Sequence, residues 1–310
     1  MKIKIRKKIR SFAKSVKRKY LNLTDHIDRI TSRSLDIKDC ESVCLALGPY
    51  RNLTTLTAAT LFLHPNCQVL NHAGNRIYGN RHVDFLSDYS EERLNHFIQF
   101  AIKISGKGRG GYVGGSITYS HAFHSNHEIK NEFAKTGLEL KKKQIKCLFW
   151  KESLLTSNLI RENHVDLCRI FEKDDRLRFL MPIRNPLDCA ISNLKTGHVD
   201  KFRGLNLDSS IFEVMQAVLD EIHWFAAQKE NFPSRFFYYF EHSISREMLV
   251  NLATFLKLDP NEDWLSNAMS VMIAKSNYEH DSDLLSFYQE AVNDKFSRFP
   301  VLSEKLLNFT

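Results

Sequence analysis

Glycine is scarce in this chain of 310 residues: there are twelve, and six of them crowd into one stretch, GKGRGGYVGGS (106–116). Proline is scarce too, with seven. These counts exclude a collagen-like or low-complexity chain. The glycine cluster follows no predicted strand, so it is not the dinucleotide fingerprint that its GKGRGG spacing imitates. Six cysteines (Cys40, Cys44, Cys67, Cys147, Cys168 and Cys189) are scattered widely. Cys40 and Cys44 are the one close pair, and no His or Cys stands near them at zinc-like spacing. A disulfide framework and a cysteine metal site are therefore not expected, and free thiols fit a reducing cytoplasm. No apolar run reaches the length of a membrane span, and no secretory h-region is present, which argues against a secreted or membrane-spanning protein.

Acidic residues are missing from residues 1–20, which hold ten Lys and Arg. The whole chain carries +8, so the other 290 residues sum to about −2. A basic tail on a near-neutral body does not suit a general nucleic-acid surface, and no nucleic-acid partner is expected. In that tail Ile5, Ile9, Phe12 and Val16 follow helical spacing, forming one apolar stripe in a basic field. Two readings fit: an interfacial helix on an anionic membrane, which makes the protein peripheral to it, or a solubilising arm. The expected organisation is a basic amphipathic tail over 1–35 and one domain over 36–310.

Short apolar runs at 42–48, 67–72, 146–150, 177–183 and 236–241 read as strands. Helical periodicity fills 54–64, 90–104, 151–172, 186–195, 210–230 and 245–258. This alternation predicts an α/β fold: a single P-loop-like domain with a central parallel sheet flanked by helices on both faces. No element is assigned in 266–310, although AKSNYEH (274–280) is a candidate to close over a ligand.

Between the first strand and its helix lies GPYRNLTT (48–55), a strand–loop–helix anion site of the kind in which first-turn amides face the ligand. Against the Walker pattern G-x-x-x-x-G-K-[ST], Gly48 and Thr55 match. Leu53 stands for the second glycine and Thr54 for the lysine. The strand at 177–183 ends without the acid that a Mg²⁺-dependent kinase or ATPase places nearby.

GPYRNLTTL instead resembles the 5′-phosphosulfate loop of the sulfotransferase family, P-K-S-G-T-T-W. Arg51 falls at the family's cation and Leu53 at its glycine. A second stretch, LRFLMPIRNPLDCAISNLKTGH (177–198), resembles the family's 3′-phosphate element, a strand followed by R-[DN]-P-x-[DE]-x-x-x-S. Arg184, Asn185, Pro186, Asp188 and Ser192 all stand at the expected spacing. FFYYFEHSISREMLVNLATFLKLDPNEDWL (236–265) resembles the family's following strand, acidic turn and helix. The matches run in order from about 42 to 265, with a poorly matched middle.

The resemblance implies a metal-free transfer of a sulfuryl group from 3′-phosphoadenosine 5′-phosphosulfate to a hydroxyl. Arg51, Asn52, Thr54 and Thr55 would hold the phosphosulfate; Arg184 and Ser192 would hold the 3′ phosphate. Such a transfer needs a base for the acceptor's proton. The family's phenol and steroid members carry it as the histidine of K-T-H-L-P, and in FWKESLL (149–155) Ser153 occupies that place. Lys151 matches the lysine and would act at the bridging oxygen. The base candidates are His72 first and Glu152 second, with His121 and His124 as rivals. This departure favours a carbohydrate or glycolipid acceptor over a phenol or steroid, and the glycine-rich stretch reads as a flap over it. The competing readings are a P-loop nucleotide kinase and an inactive nucleotide-binding protein on the same scaffold.

Overall fold

The computed structural model describes residues 23–107, 114–124, 128–273 and 278–310. The 1–20 tail, the middle of the glycine-rich stretch read as a flap and AKSN of the AKSNYEH segment therefore lie outside the described residues. In chain order the elements begin with a helix over 23–32 (α1), β1 (Ser42–Ala46), α2 (Thr54–Phe62), β2 (Cys67–Asn71), α3 (Gly74–Ile77), α4 (Glu91–Ser105), β3 (Gly115–Ser116) and α5 (Glu128–Thr136). They continue with β4 (Cys147–Lys151), α6 (Leu154–Glu162), α7 (Leu167–Lys173), β5 (Leu177–Ile183), α8 (Pro186–Thr196) and α9 (Ile211–Asn231). Last come β6 (Phe236–Phe240), α10 (Arg246–Phe255), α11 (Glu262–Val271), α12 (Ser282–Lys295) and α13 (Pro300–Leu307).

β1, β2, β4 and β5 are buried along their whole lengths. Strands that are apolar on both sides of the pleat need cover on both faces. They receive it here. Leu45, Trp150 and Phe179 belong to the core formed with α4, α6, α8, α9, α12 and α13. Cys44, Phe149 and Leu180 belong to the core formed with α2, α10 and α11. The six strands lie in the order β3-β2-β4-β1-β5-β6. The α/β expectation holds, with one correction to the all-parallel sheet. β3, inside the glycine-rich stretch where no strand was predicted, pairs antiparallel to Leu70 and Asn71 of β2. Gly114 makes that approach possible: a Cβ there would lie 2.3 Å from the Ala73 backbone nitrogen.

Two further departures are local. The predicted helix over 151–172 breaks into α6 and α7 around His164, which adopts a positive φ of 48°. The unassigned 266–310 region supplies α12 and α13, and the Tyr288 hydroxyl donates to the Leu306 carbonyl at 2.7 Å to join them. Among the described residues, no helix is long and apolar enough to cross a membrane.

The strand ends create the site. β1 pairs with β5 only as far as Ala46 opposite Leu180, whereas β5 stays paired with β6 to Ile183. Phe179 bonds toward β6 and Leu180 toward β1, so Pro182 turns its nitrogen to the β1 side, where no strand remains. A proline is tolerated there because no ladder bond is lost. The chain leaving β1 crosses to the α2 face, while those leaving β4 and β5 cross to the other face. Such a switch point opens a crevice at the carboxyl ends of the strands, where α/β folds bind ligands.

On the α6–α9 side, Arg161 forms an ion pair with Glu221, a buried carboxylate whose pKa burial pushes up and Arg161 pulls back down. Removing one partner of such a pair costs about 3 kcal/mol, because the remaining charge is buried uncompensated. We expect Arg161→Met to lose roughly that much in urea unfolding at pH 7.5. A raised carboxylate pKa stabilises at low pH and the contribution is lost as pH rises, so the deficit should shrink at pH 5. An equal deficit at both pH values would contradict this account.

Candidate active site

The crevice is a cleft of about 370 Å³ lined by Tyr50, Arg51, Asn52, Leu53, Thr54, Thr55, Leu56, His72, His121, Lys151, Arg184 and His198. Its floor is made of turns that local propensity disfavours. Arg51 and Leu53 after β1, His72 and Ala73 after β2, and Ser153 after β4 all have φ between 56° and 84°. Left-handed backbone at non-glycine residues costs of order 1–3 kcal/mol each and persists where surrounding contacts over-determine it.

For the loop after β1 those contacts are visible. The Gly48 amide donates to Ser157 Oγ at 2.9 Å, and Asn193 Nδ2 donates to the Tyr50 carbonyl at 2.9 Å. The Arg184 amide donates to Asn52 Oδ1 at 2.8 Å. Pinned to α6, α8 and the end of β5, the loop holds Leu53 left-handed where the resemblance expects glycine. Leu53 is the N-cap of α2 and gives it no side-chain cap. The first-turn amides of α2 and the positive end of its dipole are thus left for a ligand. Among the described residues, the hydroxyls of Thr54 and Thr55 have no hydrogen-bonding partner. Asn52 Nδ2 is likewise a buried donor with no hydrogen-bonding partner among the described residues.

The second wall carries the proton chemistry. Lys151, at the last position of β4, lies 3.0 Å from His72 Nε2. His72 Nδ1 lies 3.6 Å from Glu152 Oε1, and the other Glu152 oxygen accepts the Gly74 amide at 2.9 Å. The Trp150 indole donates to the His72 carbonyl at 2.6 Å, fixing the turn. A charged Lys151 can only donate, so its approach to Nε2 makes that nitrogen the acceptor and leaves the ring proton on Nδ1, the Glu152 side. Burial lowers the Lys151 pKa to about 8, with Glu152 opposing that shift and Arg51 adding to it. Lys151 is therefore mostly charged at neutral pH and can donate to His72.

The third wall is cationic but already engaged. Arg51 Nε donates to Ser192 Oγ at 2.9 Å, joining the loop to α8. Arg184 lies 3.5 Å from Asp188 and 3.9 Å from Glu241, beneath the Tyr278 ring. Asp188 is also held by His280 Nε2 at 2.9 Å. Burial raises the Glu241 pKa, while the Asn185 amide and Arg184 lower it.

Of the residues singled out in the sequence, Arg51, Asn52, Thr54, Thr55, His72, Lys151 and Arg184 line one cleft. Glu152 and Ser192 are buried immediately behind it, against His72 and Arg51. His121 lines the cleft and His124 does not. Ser153 is fully buried and outside the lining. Tyr50 and His198 went unassigned in the sequence, and they meet here with ring centroids 5.3 Å apart. Nothing in the spacing could place them together, because α8 brings them into contact. Among the described residues, no group of three or more His, Cys, Asp or Glu is placed to hold a metal ion.

No protein-family model matches the chain, and no curated protein matches it. Solved structures to which it is similar include sulfotransferases. It is similar to a mouse sulfotransferase complexed with PAP, with a TM-score of 0.42 and 9% identity over 89% of this chain and 90% of that one. A sulfotransferase from Alicyclobacillus acidocaldarius gives 0.40 and 11% over 84% and 95%, respectively. One from Mycobacterium avium gives 0.41 and 12% over 90% and 80%.

The left-handed turn at Leu53 makes a direct prediction. Glycine accepts positive φ without a Cβ penalty, whereas a β-branched residue there is a true outlier. Leu53→Gly should stay within about 1 kcal/mol of the parent in denaturant unfolding, the relief of strain offsetting lost contact and chain entropy. Leu53→Val should be less stable than Leu53→Gly despite keeping more apolar surface. The reverse order would show that the turn is not left-handed.

Proposed function

We propose that the chain is a sulfotransferase that uses 3′-phosphoadenosine 5′-phosphosulfate as donor and a hydroxyl group as acceptor. One observation carries this reading: a single cleft joins a side-chain-uncapped helix N-terminus to a hydrogen-bonded lysine–histidine pair, with a glutamate 3.6 Å behind the histidine. An anion seat beside a poised base is what transfer of a charged group to a hydroxyl needs.

The unpartnered donors in the cleft fit such a ligand. Asn52 Nδ2, the Thr54 and Thr55 hydroxyls and the α2 amides would hold the 5′ phosphosulfate. Arg184 and Ser192 would hold the 3′ phosphate, and Arg51, which donates to Ser192, would stand between the two ends of the nucleotide and serve the phosphosulfate. When bound, the donor supplies an activated sulfuryl group and a stable nucleotide leaving group. His72 Nε2 accepts the acceptor hydroxyl's proton, and Glu152 holds the ring in the tautomer that permits it. Glu152 is therefore better placed to orient His72 than to act as the base. Lys151 releases His72 and donates toward the bridging oxygen, where negative charge grows. The family resemblance, in which Ser153 replaces the histidine of phenol and steroid members, implies a carbohydrate or glycolipid acceptor, and we propose that class here.

Thermal shift without metal tests the nucleotide half. We expect 3′,5′-ADP to raise the melting temperature more than 5′-ADP does. Saturation at about 100 times Kd adds about 2.7 kcal/mol of apparent stability, which shifts the melting temperature by several degrees. Equal shifts with both nucleotides, or a response to Mg·ATP alone, would overturn the assignment of Arg184 and Ser192. His72→Ala should keep the 3′,5′-ADP shift while losing about 10²–10⁴-fold in transfer from labelled donor. An unchanged rate would remove His72 as the base.

The depressed Lys151 pKa sets a pH dependence. The protonated amine holds the anion, so affinity for 3′,5′-ADP should weaken as pH rises through about 8. Lys151→Arg stays charged over that range and should flatten the profile between pH 7 and 9. A profile with the same inflection in the variant would assign it to another group.

A further inference from the structure

α1 is built inside out. A surface helix normally turns its apolar stripe to the core and its polar face to water. In α1 the buried positions are polar: Asp28 is 5% exposed and Ser32 is 1% exposed. The apolar ones point outward, with Leu23 57%, Ile27 49% and Ile30 54% exposed. These three follow helical spacing and form a single stripe.

The inversion is held by charge. Arg76 of α3 donates to Asp25 at 2.7 Å and lies 3.7 Å from Asp28. Lys107 meets Asp28 at 2.6 Å, and Gln99 of α4 donates to the carbonyls of Arg33 and Leu35 at 3.0 Å each. With its acids spent on the body, α1 presents Leu23, Ile27 and Ile30 outward, accompanied by the uncharged Thr31 and by His26. Taking α1 off the body would leave Arg76 and Lys107 without these carboxylates, so the outward stripe is the stable arrangement.

The chain immediately before α1 says what covers that stripe. Residues 1–20 carry ten Lys and Arg and no acid, and their apolar positions Ile5, Ile9, Phe12 and Val16 are spaced 4-3-4, a helical period whose 4-3 step recurs at Leu23, Ile27 and Ile30. An apolar stripe flanked by a dense positive charge complements one surface in particular: a bilayer rich in anionic headgroups, with acyl chains beneath them. We infer that α1 docks the protein on an anionic membrane surface through Leu23, Ile27 and Ile30, with residues 1–20 supplying the electrostatic attraction. The docking stands apart from the nucleotide reading, since no α1 residue lines the cleft. It bears on that reading in one way. α3 begins two residues after His72, so the bilayer and the proposed base act on neighbouring segments, an arrangement suited to an acceptor hydroxyl carried by a lipid.

The test is co-sedimentation of the full chain with phosphatidylcholine vesicles, with and without about 30% phosphatidylserine, at about 0.1 M and about 0.5 M salt. Binding should require the anionic lipid and fall at the higher salt. The triple variant Leu23→Ser/Ile27→Ser/Ile30→Ser should partition about tenfold or more weakly, since exposed apolar side chains supply the insertion. Because all three are exposed, the variant should keep its melting temperature and its shift with 3′,5′-ADP. Wild-type binding equal in the variant would mean that the tail acts alone and overturns the role of α1. So would failure of the wild type to bind anionic vesicles. A dimer in size-exclusion chromatography that the triple variant dissolves, without vesicle binding, would replace the bilayer by a second copy of the chain.

Discussion

β1 gives up its pairing with β5 at Ala46, while β5 runs on against β6 as far as Ile183. That difference in length depends on Pro182, whose missing donor faces the side that β1 vacates. The loop leaving β1 fills the gap, and the neighbouring strands send their chains to the opposite face of the sheet. The cleft, the uncapped start of α2 and the approach of Arg184 to Asn52 all follow from this one parting of strands.

Around the parting, the protein holds three turns in backbone conformations that most side chains avoid. Each is secured by bonds from elsewhere: Ser157 and Asn193 to the first turn, Trp150 to the second, and the Ala46 carbonyl, which accepts the Ser153 amide at 3.1 Å, to the third. Strain of this kind is stable only when a rigid sheet and its helices absorb it. It places donors and a histidine at fixed positions before any ligand arrives, and preorganisation of that kind is where electrostatic stabilisation is most effective.

Much of the fold was legible in the chain. The five long strands were readable because parallel strands buried on both faces appear as short continuous apolar runs. Most of their helices were readable from the 3.6-residue period. β3 was not, since two residues in a glycine-rich stretch carry no period at all. The break between α6 and α7 was hidden because helical apolar spacing resumes directly after it. RNPLDCAIS announced a proline-started helix after a strand, and the structure adds that its arginine is matched by two carboxylates and its serine by Arg51. Asp188 lies four residues on within the same motif, but Glu241 and Arg51 are distant in sequence, and no local pattern encodes their approach.

The sequence by itself determined the α/β alternation, the strand–loop–helix at GPYRNLTT and the separation of a basic tail from a near-neutral body. These are local quantities, set by periodicity, turn chemistry and charge count. Only the tertiary structure decided that His72 faces Glu152 and Lys151, that Leu53 can stand where glycine was expected, and that α1 shows its apolar side to the outside. The reason is physical: parallel register brings the ends of β2 and β4 side by side, and long-range hydrogen bonds stabilise turns that the residues would not choose alone. Ion pairs to Arg76 and Lys107 likewise outweigh the ordinary preference of a helix for burying its apolar face.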